Sequence, residues 1–139
     1  MNLTRKESRH IGVRIDRAAD EVYAYASDPL HLPAWAHGLG RSVERIDGQW
    51  VAESPMGRVT VAFVPRNDLG VLDHDVTLPS GETVHNPVRV IADGPGSEIV
   101  FTLRRQPGMS DADFGRDTAM VTADLTRLRD LLENRGEES

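Results

Sequence analysis

The stretch SDADFGRDTAMVTADLTRLRDLLE, from Ser110 to Glu133, decides how the rest of the chain is read. Phe114, Thr118, Val121, Leu125, Leu128 and Leu132 recur in alternating steps of four and three, the spacing of one buried helical stripe. Ser110 with Asp113 forms a variant of the capping box, and Asp111 complements the helix dipole. Arg127 and Arg129 lie in the second half, where positive charge is favoured. This is a long helix standing alone after many short β-type segments, so its apolar stripe must be buried against a sheet. A curved antiparallel sheet gripping one helix leaves space between them. The pattern therefore predicts a pocket for a small, largely apolar molecule.

Working back from the helix, Pro107-Gly108 separates it from a run of strands. The candidates are Arg41–Ile46, Gln49–Ser54, Arg58–Val64, Val71–Leu78, Thr83–Ala92 and Glu98–Arg105, divided by Asp47-Gly48, Pro55-Met56-Gly57, Asn67-Asp68-Leu69-Gly70, Pro79-Ser80-Gly81 and Asp93-Gly94-Pro95-Gly96. Each break carries turn-forming residues, and the short gaps imply sequential antiparallel hairpins. Ile11, Val13 and Ile15 alternate with polar neighbours as a first strand. Asp16 ends that strand and is placed to cap the helix Ala18–Ala26. Asp28-Pro29 starts a second short helix that Pro33 keeps to a turn or two. The architecture expected is α+β: a curved seven-stranded antiparallel sheet, two short helices and the long C-terminal helix packed across it. It is read as a single domain over 1–139, with its core at about 8–133.

Composition narrows the function classes. The chain has 139 residues, 39% of them hydrophobic and 27% charged, with a formal net charge of -6. That balance repels nucleic-acid phosphates and anionic membrane surfaces, so neither is an expected partner. The absence of cysteine excludes disulfides, thiolate nucleophiles and cysteine-ligated zinc. No window of about 18 apolar residues predicts a membrane span. Met1–Arg9 lacks the apolar centre of a signal peptide, which makes the cytoplasm the default location. Gly38-Leu39-Gly40 lacks the third glycine of a dinucleotide loop, and no phosphate-binding loop or nucleophile elbow occurs, so no cofactor is expected. No histidine pair has the spacing of a helical zinc site, and no metal is expected.

The order strand, two short helices, six strands and long C-terminal helix resembles the helix-grip fold of START lipid-transfer domains and birch-pollen-allergen-like proteins, the SRPBCC superfamily. Within it the chain is most similar to the polyketide cyclase/dehydrase-type branch. The residues carrying the resemblance are Ile11-Gly-Val-Arg-Ile15, Ala19-Asp-Glu-Val22, Ser27-Asp-Pro29 with Trp35, Gly96-Ser-Glu-Ile-Val-Phe101 and Ala123-Asp-Leu-Thr-Arg-Leu128. They are patterns of fold, and the superfamily holds carriers, cyclases, dehydratases, receptors and chaperone partners. The segment Leu72–Arg89 is similar to a hairpin found in small members of the superfamily, with no chemistry attached to it.

Strand parity ranks the pocket residues. Leu72, Val76 and Leu78 share a face, which places His74 inward and Asp73 and Asp75 outward. Val84, Val88 and Val90 place Asn86 inward and His85 outward. Val59, Val61 and Phe63 line one neighbouring strand, Ile99, Phe101 and Leu103 another, and Trp50 stands with Ala52 and Ser54. Trp35 and His37 belong where the short helices cap one mouth. The ligand-binding set is Trp35, Trp50, Phe63, His74, Asn86, Phe101, Met120 and Val121, with His74 as candidate catalytic acid or base. Each has a plainer reading: His74 and Asn86 satisfy one another in the core, the tryptophans are core, Met120 fills a gap. His31 and His37 read as surface or lid residues, and Asp117 as a solvated acid.

Three functions stay open. One is a binding module for a small hydrophobic, aromatic or polyketide-like molecule. Another is a cofactor-independent cyclase or dehydratase using His74. The third is a protein-interaction module, for which Val51, Val100 and Ile91 on the outer face supply a candidate homodimer surface.

Overall fold

β1 (Ser8–Ile15) runs antiparallel to β8 (Gly96–Arg104) along its whole length, from Ser8 opposite Arg104 to Ile15 opposite Ser97. β7 (Val88–Asp93) pairs with the other edge of β8, giving a three-stranded sheet in the order β1-β8-β7. A five-stranded sheet follows chain order: β2 (Val43–Ile46), β3 (Gln49–Ser54), β4 (Gly57–Phe63), β5 (His74–Thr77) and β6 (Thr83–Asn86). These elements, with the helices below, come from a computed structural model that describes residues 7–135.

The fold is the expected α+β arrangement, with eight strands in two sheets where seven in one were predicted. The expected strand Thr83–Ala92 is divided at Pro87, which has no N–H to give to a ladder. The Pro87 carbonyl accepts from the Thr102 amide at 2.9 Å, so at this residue the chain leaves one sheet and enters the other. The expected strand Val71–Leu78 is shortened to β5, with Val71 left in a single bridge to Arg89. The cause is the Asn67 side chain. Its Oδ1 accepts from the amides of Leu69 and Val71, and its Nδ2 donates to the Val71 carbonyl, so groups a strand would offer its neighbour are already engaged. Gly70 lies in this segment at φ +73°, and a Cβ there would stand 2.4 Å from the Val90 carbonyl oxygen. Only glycine fits such a position.

α1 (Ala19–Ala26) begins after Ala18 without a side-chain cap. The expected capping by Asp16 does not occur: that residue lies two positions too early, and its own amide is bound by Glu133 at 2.9 Å. Asp28 does cap, accepting from the Leu30 amide at 3.0 Å to start a 3-10 turn (Pro29–His31) that leads into α2 (Leu32–Trp35). α3 (Asp111–Arg135) forms as read, with the Asp113 amide on Ser110 Oγ at 3.0 Å. Phe114, Leu125, Leu128 and Leu132 are fully buried. Each contributes about 1.5–3 kcal/mol relative to exposure. α3 rests on β1, β8 and α2, and Arg17 ties its last turns down through the carbonyls of Leu132 and Glu133. Its packing is concentrated there and not on β3 to β6.

Candidate functional site

Register places the inward side chains of the five-stranded sheet in rows. Trp50 stands opposite Val61, Val61 opposite Val76, and Val76 opposite Val84. One row over, Phe63 faces His74 and His74 faces Asn86. The His74 ring lies 5.1 Å from Phe63, tilted by 42°, and 6.2 Å from Phe101, edge to face. Parity thus brings Phe63, His74, Asn86 and Phe101 together, with Trp50 one row away.

His74 is 6% exposed, and burial pushes its imidazole below the usual histidine range, so the ring is neutral at pH 7. Its Nδ1 lies 3.1 Å from the Leu72 carbonyl oxygen. A carbonyl only accepts, so Nδ1 carries the proton and Nε2 carries the lone pair. Among the described residues Nε2 has no partner, and it is not sealed in: the one buried side-chain nitrogen or oxygen left unsatisfied there is Trp35 Nε1. The expected mutual satisfaction of His74 and Asn86 is therefore replaced. His74 turns to its own backbone two residues earlier, and Asn86, half-buried opposite, makes no side-chain hydrogen bond among the described residues. A buried neutral imidazole with a free lone pair, walled by aromatic rings, can accept a hydrogen bond from a hydroxyl or take a proton.

The remaining expected residues fall elsewhere. Trp35 is buried, and its carbonyl accepts from Arg127. Met120 is 38% exposed and lies over Gly38, and Val121 belongs to the core stripe. These three belong to the corner where α2 meets α3. His31 stacks on Tyr25 at 4.0 Å, and His37 is exposed. Asp117 is half-buried rather than fully solvated, and burial raises its carboxyl above the usual range. Val51 belongs to one sheet and Val100 and Ile91 to the other.

Two groups escaped the sequence reading. Asp124 is 9% exposed on α3 and accepts from the Gly38 amide at 3.1 Å and from Arg127 at 3.0 Å. Its desolvation raises the carboxyl above the usual range. A signal existed: Asp124 lies three residues after Val121 and four before Leu128, on the stripe itself. Asp73 does face outward as read, yet it is only 8% exposed. Its carboxylate takes Arg89 Nε at 3.0 Å, Arg89 Nη2 at 2.8 Å and the Val88 amide at 2.9 Å. That guanidinium holds Asp73 below the usual carboxylate range. His85 joins the cluster from outside, 2.6 Å from Asp75.

Two recesses of the structure lie elsewhere than between α3 and the sheet. A shallow groove of about 430 Å³ lies on the outer side of the five-stranded sheet, over Gln49, Val51, Thr60 and Thr77. A recess of about 60 Å³ lies under α1, between Tyr23, Ser27, Phe63 and Leu72. The second adjoins the His74 row through Phe63 and Leu72 and holds about two waters. Among the described residues no three His, Cys, Asp or Glu side chains converge as metal ligands, and no helix is long and apolar enough to cross a membrane.

Two antiparallel sheets, two short helices and a long terminal helix laid across one of them define the helix-grip class. The chain belongs to the family described as polyketide cyclase / dehydrase and lipid transport, matched over residues 8–134. Solved structures agree on the fold. An uncharacterised protein from Bacillus thuringiensis is 12% identical with a TM-score of 0.70, covering 90% of this chain and 98% of its own. CalU16 from Micromonospora echinospora is 16% identical with a TM-score of 0.68, covering 96% and 78%. Truncated norcoclaurine synthase from Thalictrum flavum is 14% identical with a TM-score of 0.62, covering 95% and 98%. No curated protein sequence matches.

Proposed function

We propose that this chain binds a small hydrophobic molecule bearing a hydroxyl, aromatic or polyketide-like, against the inward face of its five-stranded sheet. The observation that carries the reading is His74: buried among Phe63 and Phe101, neutral, with Nδ1 engaged and Nε2 free. The apolar rings supply affinity by burial, and Nε2 supplies orientation by accepting one hydrogen bond. Trp50, Val84 and Asn86, each half-buried on the same face, extend the surface. Family membership supports the same class of ligand. Pockets for drug-sized ligands measure about 300–1,000 Å³. The 60 Å³ recess beside this row is smaller, so occupancy requires the helix side and the sheet to part.

The test compares 1-naphthol with its methyl ether by titration calorimetry. Saturable binding is expected, with 1-naphthol preferred by up to about tenfold, the worth of one hydrogen bond. His74→Phe is expected to keep the ring affinity and lose the preference. No saturable binding, or a preference that survives the substitution, overturns the reading.

One observation favours a second reading, the cofactor-independent cyclase or dehydratase: the lone pair on Nε2 is the form a general base needs. Turnover that His74→Phe abolishes, with binding of 1-naphthol retained, separates it from the carrier.

A further inference from the structure

The recess under α1 has a polar wall as well as an apolar one, and Asn67 builds it. The Asn67 Nδ2 donates to the carbonyls of Pro65 and Val71 at 3.0 Å. Its Oδ1 accepts from the amides of Leu69 and Val71 at 3.0 and 3.1 Å, and its own amide donates to the Tyr23 hydroxyl at 2.8 Å. One side chain closes the loop 65–71 on itself, and one amide ties that loop to α1. Arg66 and Val71, the two loop residues that line the recess, are thereby held beside Tyr23. Groups fixed in this way lose little freedom when a ligand arrives.

Two groups of this wall are left with protons to give. The Tyr23 oxygen accepts from Asn67, and its own O–H has no acceptor among the described residues. A hydroxyl that accepts one hydrogen bond is polarised to donate another. Arg66 is exposed, with its guanidinium 5.6 Å over the Tyr23 ring. Acidic residues outnumber basic ones by 22 to 16 in this chain, and Arg14, Arg17, Arg58 and Arg89 each lie against a carboxylate. Arg66 has no carboxylate within 4 Å among the described residues, although Asp68 is its near neighbour in sequence. The Ser27 hydroxyl, also in the wall, is turned to the Ala24 carbonyl at 3.5 Å.

We propose that this recess is an anion subsite, in which Arg66 and the Tyr23 hydroxyl hold the carboxylate of an aromatic or polyketide-like acid whose ring lies toward Phe63. The proposal rests on the His74 face being the ligand site, and it narrows the ligand from any small hydrophobic molecule to an acid. The volume of about 60 Å³ holds about two waters, which is also the room that the two oxygens of a carboxylate need. A phosphate, with three terminal oxygens, exceeds it. The planar guanidinium suits a carboxylate, whose two oxygens it can take side by side, and the Tyr23 O–H donates to one of them. Phe63 and Leu72 line the same recess and join it to the His74 row. An acid seated under α1 therefore presents its apolar body to the rings that wall His74.

The test is titration calorimetry at pH 7 and low ionic strength with three probes: 2-naphthoate, which has no hydroxyl for His74, its uncharged methyl ester, and 1-naphthol. The proteins are the parent, Arg66→Gln, Tyr23→Phe, His74→Phe and Arg104→Gln, the last a control for loss of an exposed positive charge elsewhere. The parent is expected to prefer 2-naphthoate to the ester by about tenfold or more, the worth of hydrogen bonds to a charged acceptor. Arg66→Gln should abolish that preference and Tyr23→Phe should reduce it, while Arg104→Gln and His74→Phe keep it. Binding of 1-naphthol should be the same in Arg66→Gln as in the parent. If 2-naphthoate binds no more tightly than its ester, or Arg66→Gln and Arg104→Gln weaken it alike, the subsite is overturned, and 1-naphthol binding that needs His74 still leaves the ligand reading standing. If the preference for the acid needs Arg66 while 1-naphthol binding ignores His74, the subsite stands and the role of His74 falls. No saturable binding of any probe overturns both.

Discussion

Replacing Asp73 tests the account of how the two sheets are joined. The carboxylate sits where Pro87 interrupts the run from β6 to β7, and it accepts the Val88 amide that follows the proline. Asp73→Ala leaves that buried N–H unpaired, a cost of about 1–3 kcal/mol. The paired guanidinium of Arg89 is half exposed, so its share is discounted to about 0–1 kcal/mol. The sum is roughly 1–4 kcal/mol, which for a chain of this size lowers Tm by roughly 3–15 °C. Asp73→Asn keeps an oxygen for the Val88 amide and loses the charge, so it is expected to cost about 1 kcal/mol or less. Urea titration followed by circular dichroism measures both, with the m value checking that the transition is unchanged in kind. Because Arg89 holds the folded carboxyl below the ordinary 3.8, the ionic contribution is complete above that value and is lost as pH falls through the lower folded one. The gap between wild type and Asp73→Asn should close on acidification. Equal losses from the alanine and asparagine variants, or a loss under about 0.5 kcal/mol from alanine, would refute the reasoning.

Two further outcomes are expected. His74 is held neutral by burial, so between its folded value and the ordinary 6.5 the unfolded chain binds more protons; stability should fall as pH drops below about 6.5, and His74→Phe should flatten that limb of a pH–urea profile. Gly70→Ala, at φ +73° and with its Cβ 2.4 Å from the Val90 oxygen, should lower the unfolding midpoint, whereas Gly115→Ala on α3, where an added Cβ meets nothing within 4 Å, should not; equal midpoints for the two variants would contradict the close approach.

Much of the fold was legible because periodicity is a direct record of burial. The stripe from Phe114 to Leu132 came out as one face of α3, and parity set His74 inward and Asp73, Asp75 and His85 outward. What stayed hidden was any feature whose partner is a backbone group. Nothing in the identity of Leu72 announces that its carbonyl will hold His74, nor does Asn67 declare that it will occupy Val71 and shorten β5. Asp124 lay on the legible stripe, yet its partners were hidden for the same reason, since they are loop amides. The division of the strands at Pro87 was not encoded by alternation either, since apolar residues continue in phase on both sides of it.

The pairing of β1 with β8 has a consequence for how the chain is made. When β1 leaves the ribosome its ladder partner, Gly96–Arg104, is still some ninety residues away, and its covering helix further still. Arg17 likewise waits for carbonyls at the far end of α3. β1 is therefore synthesised long before the strand and helix that shelter it, while the hairpins from β2 to β6 can close on their neighbours as they emerge. Contacts of such long range slow folding and leave the early strand exposed to wrong partners during translation.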